Sequence, residues 1–200
     1  MKHAVIFAHP KSDSFVGSIA SAYREIGLAQ HHEIVFRDLY RMKFDPCLHE
    51  SEIPWSPHFA LRDDVLAERE LLRDVNVFAL FYPIWLNSPP AMLKGYLERV
   101  FGMGFAYRHE ATGNVPLLVD RRLISFSSSG APTQWMIESG AWQAMRTQFD
   151  AYLAAVFGLQ LVEHVHFGGV LPGIRGDTVE ADMEATRQAF VRHFVDQNSA

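Results

Sequence analysis

The chain divides into short apolar runs separated by stretches in which apolar residues recur at helical spacing. The first run, Ala4–Ala8, shows no polar alternation, as expected for a central parallel strand buried on both faces. The five predicted strands are 4–8, 32–36, 75–81, 123–127 and 160–167. A helix or a longer crossover follows each of them, which is typical of an α/β protein with a doubly wound parallel sheet.

The first predicted helix is capped by Ser14, carries apolar residues from Phe15 to Ile26 and ends near Gly27. Further helices are predicted over 61–72, 90–101, 142–156 and 179–194, giving a sheet with helices on both faces. The segment 38–58 contains Pro46, Pro54 and Pro57 and is predicted to be a loop over one edge of the sheet. We expect the strand order 2-1-3-4-5, because the loops with distinctive chemistry follow strands one, three and four.

Composition narrows the class of protein. The 200 residues of the chain suffice for one domain with a sizeable core, and we predict a single domain over 1–200. The net charge of −5 argues against a nucleic-acid-binding protein, which would show a basic face. The single cysteine, Cys47, excludes an internal disulfide framework and suits the cytoplasm, the predicted location. No apolar stretch approaches the roughly 20 residues that a membrane span needs, so we expect no integral membrane segment.

The loop after the first strand, 9–15, carries three residues typical of helix caps and two side chains that can donate to an anion. The free amide groups at the start of the following helix favour a phosphate or pyrophosphate, with His9 or Lys11 adding a donor. The alternative is that the hydroxyls only cap the helix. The glycines of a dinucleotide-binding or Walker A loop are absent, so neither class is indicated.

The loop after the third strand, 83–90, is bounded by prolines and contains Trp85. Trp85 and Leu86 can shield one face of a planar ring system while the backbone amides of 84–87 bind its polar edge. The alternative is that Trp85 is a core or interface tryptophan. Lys94 and Glu98, four residues apart on the next helix, are expected to form at most a weak surface ion pair.

The loop after the fourth strand, 127–133, reads SSSGAPT and allows the backbone to approach a ligand closely, although a turn of this composition needs no ligand. Three such loops at the ends of three core strands indicate a ligand-binding site more strongly than any one of them does. His164 and His166 share one face of the fifth strand, but no third ligand is evident nearby, so we expect no metal site. The chain lacks a Gly-x-Ser-x-Gly elbow, which leaves a hydrolase without support.

The segments 9–15, 39–46 and 83–101, the last ending in PAMLKGYLERVF, resemble the NAD(P)H:quinone oxidoreductases with a flavodoxin-like fold. The similarity extends over nearly the whole chain. It implies a flavodoxin-like fold and a homodimer with two flavins at the subunit interface. It also implies an enzyme that passes hydride from NAD(P)H through the flavin to a quinone or similar small electrophile in a ping-pong cycle.

The resemblance also assigns cofactor-binding residues in three groups. The flavin phosphates fall on His9, Asp13, Ser14 and Phe15. The isoalloxazine falls against Pro83, Ile84, Trp85, Leu86 and Asn87. The loop that closes around the ring is Ser128, Ser129, Gly130 and Ala131. We expect FAD as the cofactor, with FMN as the alternative, because both subgroups occur among relatives and the long segment 38–58 favours FAD.

Two positions depart from the family. Val16 stands where relatives have an asparagine, which removes one polar contact. The tyrosine and histidine that assist proton handling in well-studied members are absent from 134–142, so no catalytic side chain is assigned. Solvent or another group then supplies the proton, or the preferred acceptor is not a quinone.

Two other functions remain open at this point. One is a flavin-bound regulatory subunit of a potassium-efflux transporter, which no feature of the sequence separates from an enzyme. The other is a one-electron flavodoxin carrier, ranked last because its hydroxyl-and-glycine phosphate loop is absent. A homodimer is also predicted from the aromatic residues near the expected site, which exceed what one cleft needs: Trp55, Trp85, Phe105, Tyr107, Trp135 and Trp142.

Overall fold

The computed structural model describes residues 1–195 and contains a five-stranded parallel sheet with a separate antiparallel hairpin. The strands are β1 (Lys2–Phe7), β2 (Glu33–Asp38), β3 (Val77–Pro83), β4 (Tyr107–Glu110), β5 (Gly113–Pro116), β6 (Arg122–Ser128) and β7 (Gln160–Phe167). The parallel sheet has the order β2-β1-β3-β6-β7, which is 2-1-3-4-5 for the five predicted strands. The predicted flavodoxin-like topology is therefore confirmed.

Seven α-helices surround the sheet within the described residues. They are α1 (Phe15–Ala29), α2 (Asp63–Leu71), α3 (Ala91–Val100), α4 (Thr133–Glu138), α5 (Ala141–Arg146), α6 (Tyr152–Phe157) and α7 (Gly176–Phe194). Successive side chains of each strand point to opposite faces, so β1 divides between two cores. Val5 and Phe7 pack with α1 and α7, whereas Ala4 and Ile6 belong to the core that contains α3 and α5–α6.

The structure adds three features that the sequence pattern did not predict. The hairpin β4–β5 lies between α3 and β6 and is short and mostly exposed. A short helix, α4, precedes the predicted helix 142–156, and Gly140, at φ 77°, separates it from α5. A π-helical turn, Thr147–Ala151, joins α5 to α6 and carries the buried Asp150. Such turns insert an extra residue and are frequent at functional sites.

Arg99 of α3 holds the loop predicted over 38–58 against its own helix. Its guanidinium is completely buried and pairs with both carboxylate oxygens of Glu52 at 2.8 Å. It also binds Asp64 at 2.8 and 2.9 Å. Gly95 lies one helical turn before Arg99, and a Cβ there would meet the carbonyl oxygen of Pro46 at 2.0 Å, so the chain passes directly over the helix. The segment is thus fixed to α3 by ion pairs and close packing.

The described part of the chain, residues 1–195, contains no helix long and apolar enough to cross a membrane.

Candidate active site

Three loops meet at the carboxyl edge of the parallel sheet. The amide of Ala8 donates to the carbonyl of Phe81 at 3.0 Å, and the amide of Ile84 donates to the carbonyl of Ser128 at 2.7 Å. These bonds join the loops after β1, β3 and β6. The rings of His9 and Trp85 lie 5.8 Å apart between the first two loops. The structure therefore brings the three predicted groups of residues to one place.

The first loop ends at the amino terminus of α1. Ser14 caps the helix by accepting a hydrogen bond from the amide of Gly17 at 3.1 Å. This leaves the amides of Phe15 and Val16, which have no partner within the helix, for an anion. The loop presses on the helix, because a Cβ at Gly17 would lie 2.2 Å from the carbonyl oxygen of Ser12. Capping and anion binding are therefore compatible here, since they use different amide groups.

The side chains around this loop include acidic, aromatic and basic residues. Asp13 is exposed at its surface. The ring of Phe15 packs on Phe167 with centroids 5.6 Å apart, so only its backbone faces the loop. Arg41, which the sequence analysis did not include in the site, donates from Nη2 to Ser12 Oγ at 3.1 Å. Its position three residues after the end of β2 is the signal that would have placed it at the same edge of the sheet.

The second loop forms a tight two-residue turn between Trp85 and Ser88. Their backbones exchange two hydrogen bonds, of 2.9 and 3.1 Å. Leu86 and Asn87 between them both adopt left-handed backbone conformations, at φ 51° and 56°. This conformation costs of the order of 1 kcal/mol or more for a residue such as leucine and is concentrated at sites that clamp ligands. Neither of their amides donates a hydrogen bond within residues 1–195, so both are available to a ligand.

Trp85 is 44% exposed, which excludes the alternative of a core tryptophan. Ile84, in contrast, is nearly buried, and Pro83 is the last residue of β3. The Asn87 side chain donates from Nδ2 to the carbonyl of Ala141 at 3.1 Å, which ties the turn to the start of α5. The indole is thus presented at the site by a rigid turn.

The third loop is held closed by its own polar groups. Ser129 Oγ donates to the carbonyl of Ala131 at 2.8 Å, and the amide of Gly169 donates to the same oxygen at 2.9 Å. Ser128 is buried, and its carbonyl binds the second loop. Gly130 is exposed at the tip. This loop forms one wall of the edge where the other two meet.

The other candidates of the sequence analysis take ordinary roles. Lys94 and Glu98 form an exposed ion pair on α3. Within residues 1–195 the structure shows no group of three or more His, Cys, Asp or Glu side chains that could hold a metal ion. Of the aromatic residues taken to indicate a dimer, Trp142 and Phe105 pack against the protomer's own core, whereas Trp55 and Trp135 are exposed.

Comparison with known proteins agrees with the fold described above. A family model described as flavodoxin-like fold matches residues 1–194, and the chain belongs to that family. The sequence is 33% identical over 171 residues to a protein of Haemophilus influenzae named an uncharacterized NAD(P)H oxidoreductase, with 85% of each chain covered. The family suggested by segments 9–15, 39–46 and 83–101 is thereby confirmed, and the chain is an oxidoreductase of this family.

Solved structures and more distant relatives extend the comparison. The fold superimposes on an NAD(P)H:quinone oxidoreductase from Methanothermobacter marburgensis with a TM-score of 0.84, 28% identity and coverage of 94% of this chain and 96% of that one. The sequence is 26% identical to NAD(P)H dehydrogenase [quinone] 1 of Cavia porcellus, over 67% of this chain and 55% of that relative. An FMN-dependent NADH-azoreductase from Bacillus anthracis, solved with FMN, shares the fold at a TM-score of 0.72 and 16% identity, with coverage of 96% and 98%.

Proposed function

We propose that the protein is a flavin-dependent NAD(P)H oxidoreductase whose flavin lies at the carboxyl edge of the sheet. One observation carries the proposal. A strained turn presents an exposed tryptophan and two free amides, those of Leu86 and Asn87, beside a helix amino terminus that can bind a phosphate. A flavin has the three matching parts: an apolar ring face, a polar ring edge and a phosphate.

The residues present fit this cofactor. The amides of Phe15 and Val16, with Lys11 and Arg41 nearby, would hold the phosphate. Trp85 would cover the ring, and the third loop around Ser129 would close its other side. When bound, the flavin supplies hydride acceptance and donation, and the protein supplies position and electrostatics.

We further propose a quinone or a similar small electrophile as acceptor, reached in a ping-pong cycle. Support comes from the relatives named as quinone reductases and from the exposure of Trp85, which leaves the ring site open to successive substrates. We expect the reducing cytoplasm as the compartment, because Cys47 is exposed and free.

Of the two flavins, we propose FMN, although the sequence favoured FAD. The argument for FAD was the long segment 38–58, and Arg99 holds its Glu52 against α3. Arg41, near the start of this segment, donates to Ser12 in the first loop. The azoreductase neighbour is a complex with FMN. Releasing the flavin by heat and identifying it by chromatography decides between the two forms.

Reconstitution tests the function directly. The purified protein should be yellow or take up flavin stoichiometrically, and NAD(P)H should bleach its visible absorbance without oxygen. Adding a quinone anaerobically should restore the absorbance. Protein that stays colourless with both FMN and FAD would overturn the proposal.

Trp85→Ala tests the position of the ring. Burial of a large aromatic contact is worth roughly 1.5–3 kcal/mol, so flavin should bind about tenfold to hundredfold more weakly. The apoprotein should keep its thermal stability, because Trp85 is 44% exposed without a ligand. Leu28→Ala near the end of α1, which is 50% exposed and lies away from the three loops, is the control and should leave flavin affinity unchanged. Equal affinity of wild type and Trp85→Ala would place the ring elsewhere.

We also propose a homodimer. An apolar groove of about 380 Å³ runs between α3 and α6 and is lined by Leu97, Phe101, Leu153, Val156 and Phe157, among others. Tyr152 at its margin is 63% exposed, and a large exposed aromatic of this kind is typical of an interface. Light scattering of the flavin-loaded protein should give twice the chain mass, and Tyr152→Glu should reduce it. A fully active monomer would contradict this assembly.

A further inference from the structure

A chain of hydrogen bonds runs through the interior from the π-helical turn to the third loop. Asp150 Oδ2 binds His164 Nδ1 at 2.5 Å, and His164 Nε2 binds Ser127 Oγ at 2.7 Å. The same Ser127 Oγ binds His166 Nδ1 at 2.9 Å, and His166 Nε2 binds Ser129 Oγ at 3.1 Å. Five side chains, on the π-helical turn, β6, β7 and the third loop, thus connect a buried carboxylate to the wall of the proposed flavin site.

The inner end of this chain is sealed from solvent. The side chains of Asp150 and His164 are completely buried. The ring of Trp142 covers both histidines, with centroids 4.7 Å from His164 and 4.9 Å from His166. Only the outer end, at Ser129, reaches the loop at the carboxyl edge of the sheet.

Charged and titratable groups surround His164 on each packed element. Asp150 lies on the π-helical turn, and its second oxygen accepts from Ser125 Oγ at 3.0 Å. Tyr82 of β3 lies 6.0 Å away, ring to ring, and its hydroxyl has its pKa raised by burial and by the charge of Asp150. Arg146 places its guanidinium over the Trp142 ring at 5.8 Å. Asp150 is the acidic group in direct contact with the imidazole.

While Asp150 is ionised and both histidines are neutral, the five contacts cannot all be hydrogen bonds. If His164 donates through Nδ1 to Asp150, its bare Nε2 needs the proton of Ser127. Ser127 then accepts from His166 Nδ1, which leaves His166 Nε2 bare. Ser129 has one hydroxyl proton for two acceptors, His166 Nε2 and the carbonyl of Ala131 at 2.8 Å, and that carbonyl keeps only the amide of Gly169 as a donor if Ser129 turns to His166. The other tautomer of His166 moves the same conflict to Ser127.

One added proton removes the conflict. With His164 doubly protonated, its Nε2–H donates to Ser127 and the Ser127 hydroxyl donates to His166 Nδ1. His166 Nε2–H then donates to Ser129, whose hydroxyl is free to bind the carbonyl of Ala131. Every donor and acceptor has a partner, and the imidazolium is paired with Asp150 in a site of low dielectric.

We propose that this network of hydrogen bonds stores one proton, which it takes up and releases at Ser129. A proton entering at His166 Nε2 displaces the Nδ1 proton of His166 to Ser127 Oγ. The Ser127 hydroxyl proton passes in turn to His164 Nε2. His166 changes tautomer but gains no charge, and the net result is one proton held on His164 beside Asp150. Unloading reverses each transfer and delivers one proton to the third loop.

His166 is suited to pass a proton on and not to keep it. Its pKa is lowered from 6.5 to about 4, chiefly by burial and further by the positive charge of His164. The use of the store rests on the proposed function, since the loop Ser128–Ala131 borders the proposed flavin site. The stored proton would serve the flavin in place of the tyrosine and histidine that assist proton handling in the family. Neither residue is present in 134–142.

Nitrogen-15 NMR of the histidine rings in the flavin-free protein tests the store. On lowering the pH from 9 toward 5, His164 should become doubly protonated while His166 switches from its Nδ1–H to its Nε2–H tautomer with the same midpoint. Signals are assigned with His164→Gln and His166→Gln. Independent midpoints, or a His166 that becomes an imidazolium itself, would overturn the proposal.

Two variants separate a relay from a merely structural network. Ser127→Ala keeps both histidines but removes the middle hydroxyl, so His166 should no longer switch tautomer when His164 titrates. Asp150→Asn keeps a bond to Ser125 but removes the counter-charge, so the doubly protonated form of His164 should be less populated than in wild type at the same pH. Asp120→Asn, on an exposed turn, is the control and should change neither.

The flavin assays are separate from this experiment. Coupled histidines in a protein that binds no flavin would disprove the proposed function and keep the store. Flavin binding with uncoupled histidines would disprove the store alone.

Discussion

Two pairs of histidines lie at opposite ends of the sheet in this molecule. At the amino end, His3 of β1 binds the Tyr23 hydroxyl and His32 Nδ1, both at 2.8 Å. At the carboxyl end, His164 and His166 of β7 share the hydroxyl of Ser127. Both pairs are bonded to a hydroxyl and covered by aromatic rings, Phe190 and Phe194 over His3 and Trp142 over the β7 pair.

The two pairs differ in the charges that face them. The pKa of His3 is lowered from 6.5 to about 3 by burial and then by three positive groups, which are His32, the amino terminus and Arg122. His164 instead contacts the carboxylate of Asp150 at 2.5 Å. Burial alone therefore does not decide what a histidine does. The amino-end pair is held neutral and serves packing, whereas the carboxyl-end pair has a counter-charge for a proton.

The largest expected effect comes from removing that counter-charge together with its hydrogen bonds. Asp150→Ala leaves Ser125 and His164 without a partner in the core, so the free energy of unfolding at pH 7 should fall by about 3 kcal/mol. Urea unfolding measures this. Asp120→Asn at an exposed turn, where asparagine tolerates the left-handed backbone at φ 68°, should change it by less than about 0.5 kcal/mol. A loss below about 1 kcal/mol for Asp150→Ala would show that the carboxylate is dispensable to the network.

The next effect is the pH dependence that His3 imposes. Because its folded pKa of about 3 lies below the unfolded value of 6.5, the unfolded state takes up the proton first as the pH falls. The stability due to neutral His3 is therefore present above pH 6.5 and is lost between about pH 6.5 and 3. Lowering the pH from 8 to 5 should cost roughly 2 kcal/mol through His3, in addition to the loss caused by the lowered pKa of His166.

His3→Asn should reduce the acid-induced loss by the part that His3 contributes and leave the part due to the lowered pKa of His166, while His31→Asn on the exposed turn after α1 should retain both. Unfolding in urea at the two pH values measures the difference for each protein. Equal losses in wild type and His3→Asn would mean that the amino-end pair is not the acid-sensitive one.

The smallest effect sharpens the role of the cations. Arg122 is the last of the positive groups that lower the pKa of His3, and it also donates to the carbonyl of His193 at 3.0 Å. Arg122→Gln should therefore raise the pH at which His3 becomes charged, reducing the acid-induced loss by less than about 1 kcal/mol. NMR titration of His3 detects the shift. An unchanged titration would assign the low pKa of His3 to burial and its other two neighbours.

The apolar pattern predicted the parallel sheet well. The fifth strand, 160–167, has the predicted bounds, and the other four differ from prediction by one or two residues at their ends. The hairpin β4–β5 was missed because its strands have only four residues each and carry no apolar alternation.

The sequence predicted where the candidate site lies, but not the backbone conformations and side-chain contacts within it. Loop positions after strands one, three and four follow from topology, and the structure joins them through Ala8 and Ile84. The left-handed turn at Leu86 and Asn87 carries no glycine, so residue type gave no sign of it. Arg41 reaches Ser12 from the end of a different strand, a contact that only the sheet order produces.

The sequence by itself determined the doubly wound sheet, the edge at which the three candidate loops meet and the family. These depend on local periodicity and on motifs such as 90–101, which are continuous in the chain. Tertiary structure alone decided which side chains exchange protons. Asp150 and His164 are 14 residues apart, and Ser127 and His164 are 37 apart. Their contact depends on the pairing of β6 with β7 and on the π-helical turn that places Asp150 beside His164, and such long-range packing leaves no periodic signal in the sequence.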